Sequence, residues 1–200
     1  MKPSLYYPVC PVHVNQIFGA NPEYYARFLD KFGKPEKGHM GIDFQASHGQ
    51  PVYAAHDGLA IYIKDDHGGE GVYNYDYQNG FVTIYWHLIG ITDTNFPPPI
   101  PFDFRSHSVK AGDLIGFADN TGAPFESSGD HLHFGLAFID EHGNFLNPDN
   151  GYGGCVDPQT YFNGTCAANI SPLISLYQQL TKTLQGILTL LKSGRVTSQN

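Results

Sequence analysis

Two short stretches of this sequence carry side chains that can hold a metal ion or move a proton. In Asp130-His131-Leu132-His133-Phe134-Gly135-Leu136, polar and apolar residues alternate. Alternation marks a half-buried strand, whose successive side chains point to opposite faces. It predicts Leu132, Phe134 and Leu136 on a core. His131, His133 and the small Gly135 then face a cleft with room for an ion and a substrate. Upstream, His39-Met40-Gly41-Ile42-Asp43-Phe44 sets His39, Gly41 and Asp43 on one face of a second strand. Four residues of flat strand separate two Cα atoms by about 13 Å, too far for joint ligation. Gly38 and Gly41 permit a bend that brings His39 and Asp43 together. Two neutral imidazoles and a carboxylate with one open position make a catalytic zinc arrangement. Taken singly, each stretch also describes surface residues, a histidine pair in one and a hydrogen-bonded His–Asp pair in the other.

A further histidine, His87, ends the run Phe81-Val82-Thr83-Ile84-Tyr85-Trp86-His87-Leu88. Its β-branched and aromatic residues read as a strand. Alternation puts His87 on the face of Phe81, Thr83 and Tyr85, as a cleft residue, with Val82, Ile84, Trp86 and Leu88 opposite. His48 and His56 adjoin turn residues and read as solvated, and His67 reads as a surface residue.

The elements that must position these side chains are mostly short strands. Tyr, Phe, Gly and Pro are all plentiful, which favours strands and tight turns over helices. Residues 12–18 read as an opening strand. Asn21-Pro22 starts a short helix carrying Tyr24, Tyr25, Phe28 and Leu29. Residues 51–63 read as two strands around the Asp57-Gly58 turn. The polar, Gly-rich residues 64–80 read as a long hairpin loop, and the proline-rich residues 90–107 as a stiff loop. The expectation is a mainly β fold, a compact antiparallel sheet, over residues 1–168. Residues 169–200 form an amphipathic helix and tail. Ser171-Pro172 opens that helix, and Leu173, Tyr177, Leu180, Leu184, Ile187 and Leu191 repeat at spacings of four and three. Helix 171–193 either docks on its own domain or serves self-association or a partner.

The net charge of −8 argues against nucleic acid, whose phosphates need a positive surface. No segment is long and apolar enough to span a membrane. The first residues lack the apolar region of a secretory signal. Three cysteines, Cys10, Cys155 and Cys166, exclude a fully paired framework. They are expected to be free thiols, with a Cys155–Cys166 bridge across a short loop as the alternative.

In order, the chain shows Gly38-His39-Met40-Gly41-Ile42-Asp43-Phe44, Pro51-Val52-Tyr53-Ala54-Ala55, Tyr85-Trp86-His87-Leu88, Gly112-Asp113-Leu114-Ile115-Gly116 and His131-Leu132-His133-Phe134, with Asn120-Thr121-Gly122 between the last two. Over roughly residues 12–148 this set resembles the lysostaphin/LytM-type zinc metallopeptidases, which cut peptide bonds in bacterial peptidoglycan. The resemblance implies zinc ligands His39, Asp43 and His133, and two non-ligand active-site histidines, His131 and His87. It implies a compact antiparallel sheet whose groove holds the metal. Asp130 departs from the family, which often has proline there. The loops at 64–80 and 90–107 look extended and are placed to set specificity. The terminal helix lies outside the family core.

Three functions follow. The first is a zinc endopeptidase of peptidoglycan that uses a metal-activated water and an imidazole proton relay. The others are a catalytically dead binding module and a structural component such as part of a phage tail. All five matched positions are intact, which favours the enzyme. A cell-wall substrate and no export signal together imply phage delivery, release by lysis or nonclassical export.

Overall fold

The computed structural model describes residues 2–65, 68–89, 107–123, 127–170, 180 and 183–189. Among them, β1 (Leu5–Tyr7) and β2 (Val14–Gln16) precede the one-turn helix α1 (Pro22–Tyr25). The central strands are β3 (Ile42–Gln45), β4 (Pro51–Tyr53), β5 (Gly58–Asp65), β6 (Gly69–Asp76), β7 (Phe81–Trp86) and β8 (Leu88–Ile89). Then come β9 (His107–Val109), β10 (Leu114–Ala118), β11 (His131–Phe138) and β12 (Phe162–Cys166). Seven strands form one sheet in the order β2-β3-β11-β7-β6-β5-β9, antiparallel throughout. A smaller antiparallel sheet, β4-β10-β8, and a parallel pair, β1-β12, complete the described strands.

Alternation sorts the large sheet into two faces. Phe44, Phe81, Tyr85, Leu132, Phe134 and Leu136 point one way. They pack with Leu5, Val52, Leu88, Ile115 and Ala118 from the two smaller sheets, which cover that face. On the other face Val82, Ile84 and Ala137 are covered by Phe18, Met40, Phe145 and Tyr152. The cleft histidines of β11 lie on this second face, at the end where its cover stops.

Three expectations are corrected here. Residues 64–80 are largely strand, since β6 pairs along its length with β5 and β7. Gly71 answers to close approach, and Gly69, at φ 77°, to the left-handed backbone with which the strand begins. A Cβ at Gly71 would lie 2.4 Å from the Tyr85 carbonyl oxygen and 2.6 Å from the Trp86 ring. His56 is buried, 6% exposed. Its Nδ1–H donates to the Asp57 carbonyl at 2.7 Å, and its Nε2 lies 2.8 Å from Thr83 Oγ1. Finally, Cys10 and Cys166 form a disulfide across 156 residues, and Cys155 alone is free, buried against the second face. Chain spacing concealed this pairing because β1 and β12, from opposite ends of the domain, run side by side with Tyr7 opposite Cys166.

Residues 183–189 are helical, and Leu184, Ile187 and Leu188 on them are about half exposed. Apart from Leu180, the rest of the expected helix 171–193 lies outside the described residues, as do residues 90–106 of the expected loop 90–107 and His67, while His107 begins β9. No helix among the described residues is long and apolar enough to cross a membrane.

Candidate metal centre

Register across the large sheet brings the pieces together. Gln16, Asp43, His133 and Trp86 are successive cross-strand partners on β2, β3, β11 and β7. Asp43 and His133 therefore project from the same face as nearest neighbours, where opposed side chains meet. His39 comes from the segment before β3. Two backbone bonds pin it there, Gly19 N–H to the His39 carbonyl at 2.9 Å and His39 N–H to the Ala20 carbonyl at 3.0 Å. Gly38 makes the bend at φ 151°, and a Cβ on it would come within 2.6 Å of the Gly19 carbonyl oxygen.

Three potential ligand atoms converge. His39 Nε2 lies 2.9 Å from His133 Nδ1, and each lies 3.1 Å from Asp43 Oδ1. Ligands about 2.0–2.1 Å from a tetrahedral zinc sit roughly 3.3 Å apart, so this near-equilateral triangle fits such an ion. Gly41 makes it possible. A Cβ there would lie 2.5 Å from the Phe134 carbonyl oxygen and 2.8 Å from His133 Nε2. His39 Nδ1–H donates to the Ile17 carbonyl at 3.2 Å, which leaves the Nε2 lone pair aimed at the triangle. Burial works to raise the Asp43 pKa, but contacts with His133 and His39 outweigh it and hold the carboxyl well below the usual carboxylate range. Burial pushes His133 below the ordinary imidazole value in spite of Asp43 beside it. Asp43 is thus held as the anion and His133 is biased to the neutral form, the states in which a carboxylate and an imidazole bind a divalent cation.

His131 and His87 flank the triangle. His131 Nε2 lies 3.7 Å from Asp43 Oδ1, and its Nδ1–H donates to the Gly129 carbonyl at 2.7 Å. His87 Nδ1–H donates to the Thr121 carbonyl at 2.7 Å. The two rings are 4.6 Å apart between centroids. In each, the bonded Nδ1–H leaves Nε2 with the free lone pair. Burial and then the neighbouring His133 and His131 draw the His87 pKa down to about 3.

His87 arrives by a route that alternation did not foresee. Thr83 and Tyr85, its expected face-mates, are fully buried in the core with His56. His87 escapes that face through a left-handed backbone, φ 64°, which ends β7. Beyond it Leu88 turns into the main core, away from Trp86.

The cleft has a wall that sequence reasoning did not assign: Tyr24, Tyr25, Phe28 and Glu36. Helix α1 buries none of its residues, and Phe28 is 37% and Tyr24 48% exposed. An aromatic run on a short helix reads as core in one dimension, so only its place beside the cleft reveals the wall. Tyr25 Oη accepts a bond from Gln16 Nε2 at 2.9 Å. Burial and the Asp43 charge push its phenol up to about 12. Met40 and Trp86 line the cleft as well. A second group with ligand atoms close together, His48, Asp119 and Asp130, lies outside the cleft. His48 there is exposed and already paired with Asp119 at 2.7 Å.

With this geometry in place, the chain can be set beside known proteins. The model of peptidase family M23 matches residues 37–148, more than half of the chain. The DD-carboxypeptidase/endopeptidase Mpg of Neisseria meningitidis is 33% identical over 125 residues, which cover 58% of this chain and 26% of that protein. The chain thus spans about a quarter of the length of this curated relative. The catalytic domain of lysostaphin, an antimicrobial peptidase from Staphylococcus simulans, superimposes with a TM-score of 0.52 at 22% identity, over 75% of this chain and 91% of that one. A zinc-containing peptidase from Vibrio cholerae gives a TM-score of 0.50 at 24% identity, over 78% of this chain and 39% of that one. These two likenesses concern the fold.

Proposed function

Because this chain belongs to peptidase family M23, we propose that it is a zinc-dependent endopeptidase that hydrolyses peptide bonds of bacterial peptidoglycan. The carrying observation is the triangle of His39, Asp43 and His133, with ligand atoms 2.9 to 3.1 Å apart, beside two imidazoles whose Nδ1–H groups are already committed. In this reading His39, Asp43 and His133 hold the zinc. Once bound, zinc supplies Lewis acidity toward a water and the scissile carbonyl. The protein's own groups do the rest. Nε2 of His131, with His87 beside it, accepts the proton of the attacking water and returns it to the leaving amine. The anionic Asp43 offsets part of the cation's charge. Tyr24, Tyr25 and Phe28 on one side, with Met40 and Trp86 on the other, hold the extended peptide and exclude bulk water.

Two further observations support a wall substrate. The curated relative carries both carboxypeptidase and endopeptidase in its name. The Cys10–Cys166 disulfide suits a chain that works on the oxidising side of a membrane.

The test measures bound metal per chain, together with turbidity loss of purified sacculi with and without chelator. One zinc and chelator-sensitive clearing are expected. Zinc without clearing on any sacculus type would refute the hydrolase, and a protein that binds no zinc would refute the ligand set.

A further inference from the structure

A histidine works as a base only while its other nitrogen keeps the proton. For both non-ligand histidines that second nitrogen is held by backbone carbonyls in the segment between β10 and β11. Thr121 supplies one for His87 and Gly129 the other for His131, each at 2.7 Å. The near end of the segment is firmly placed. Asp119 N–H donates to the His87 carbonyl at 2.8 Å, and the Asp119 carbonyl accepts from His131 N–H at 3.2 Å. Thr121 Oγ1 donates to the Leu88 carbonyl at 3.0 Å and accepts from Glu70 N–H at 3.1 Å. The far end, Gly129, has no strand pairing of its own, since β11 begins at His131.

What ties the far end to the near end is Ser127. It is buried, 5% exposed. Its hydroxyl donates to the Asn120 side-chain oxygen. Ser127 Oγ itself lies 3.2 Å from the Gly129 carbonyl oxygen and 3.4 Å from His131 Nδ1, whose N–H it is placed to accept beside that carbonyl. Asn120 sits between Asp119 and Thr121, the two anchored residues. With its proton committed to Asn120, Ser127 Oγ therefore links His131 Nδ1–H to the backbone that orients His87.

We propose that Ser127 is a positioning residue: its bond to Asn120 clasps this segment so that both imidazoles keep Nδ1 protonated and Nε2 free. This rests on the peptidase reading for its consequence in turnover, but not for its consequence in tautomer. Orienting partners behind active-site imidazoles affect function by about 10- to 100-fold. Ser127→Ala should therefore lower kcat by roughly that factor, with KM and bound zinc unchanged. Asn120→Ala should cost the same, and the double variant little more, because both remove one bond.

The decisive readout is spectroscopic. Long-range proton–nitrogen correlation spectra of the zinc-loaded protein should show His131 as a single Nδ1–H tautomer. Ser127→Ala should show a mixture. Unchanged tautomers in a folded Ser127→Ala protein would overturn the clasp, and so would additive losses in the cycle. A wild-type protein that cleaves nothing would refute the peptidase reading, and the tautomer measurement would still decide the clasp.

Discussion

At the scale of single residues, the site as proposed separates groups that hold the cation from groups that move protons, and substitution should separate them too. His133→Ala removes one of three ligand atoms that meet within 3.1 Å, so zinc content should fall to near zero with activity. His131→Ala and His87→Ala leave the triangle intact. They should keep zinc while kcat drops by about 10²- to 10⁴-fold, the usual contribution of a general acid–base group. Metal analysis beside steady-state kinetics checks this, and full activity in His133→Ala would sink the ligand assignment. Gly41→Ala should resemble the ligand loss, because its Cβ cannot avoid the Phe134 backbone. His131 and His133 were legible in the sequence because they sit on a regular strand, where alternation fixes direction. His39 with Asp43 was legible through the glycines that permit the bend. The path of His87 was not, because a single left-handed residue reverses the face and no pattern of residue types records it.

At the scale of elements, the cleft is the uncovered end of one sheet face opposite one short aromatic segment. The sheet side follows from register: once β3 and β11 pair with Asp43 opposite His133, those two side chains must meet. The other side depends on where the segment after β2 lies. That segment is an ordered hairpin, with Glu36 N–H bonded to the Phe28 carbonyl at 3.1 Å and Asp30 N–H to the Lys34 carbonyl at 2.8 Å. Tyr24 and Phe28 are too exposed to carry core packing, so in the proposed reading they contribute contact with substrate. Phe28→Ala should raise KM several-fold and leave kcat nearly unchanged, the pattern of lost uniform binding. Its effect on stability should stay within about 0.5 kcal/mol, as for other surface substitutions. A fall in kcat at constant KM would instead place Phe28 in the chemistry. Pro22 announced this helix in the sequence, but whether its rings meet a core or a cleft is decided by what stands opposite. For the same reason β6 was hidden: its glycines look like a loop until Thr121 is seen lying against Gly69 and Trp86 against Gly71.

At the scale of the whole molecule, two properties set when the site stays assembled. The first is the disulfide. A cross-link over 156 residues removes chain entropy from the unfolded state, worth about 5 kcal/mol as an upper bound in the loop-closure description. Denaturant unfolding with and without reductant should show a large fall in midpoint, and an unchanged midpoint would mean that packing of β1 on β12 suffices. The second is buried histidine. His56 and His133 have pKa values lowered by burial, and His87 is drawn to about 3 by burial and its neighbours. In the unfolded chain the same groups titrate near 6.5. Above that pH neither state carries their protons, and this part of the stability is fully present. As pH falls below about 6.5 the unfolded state takes up protons that the folded state refuses, so stability declines by up to about 1.4 kcal/mol per pH unit for each group. Asp43 adds to the decline at lower pH, since its folded pKa is also depressed. Zinc release in acid would obscure this in the loaded protein, so the measurement belongs to the chelated one. Its midpoint should be flat from pH 8 to about 6.5 and fall steadily below. His56→Gln, which alters a buried imidazole away from the ligands, should make that fall shallower. A midpoint that rose on acidification would mean that these histidines gain protons on folding, and neutral imidazoles could not then be the resting state of the site.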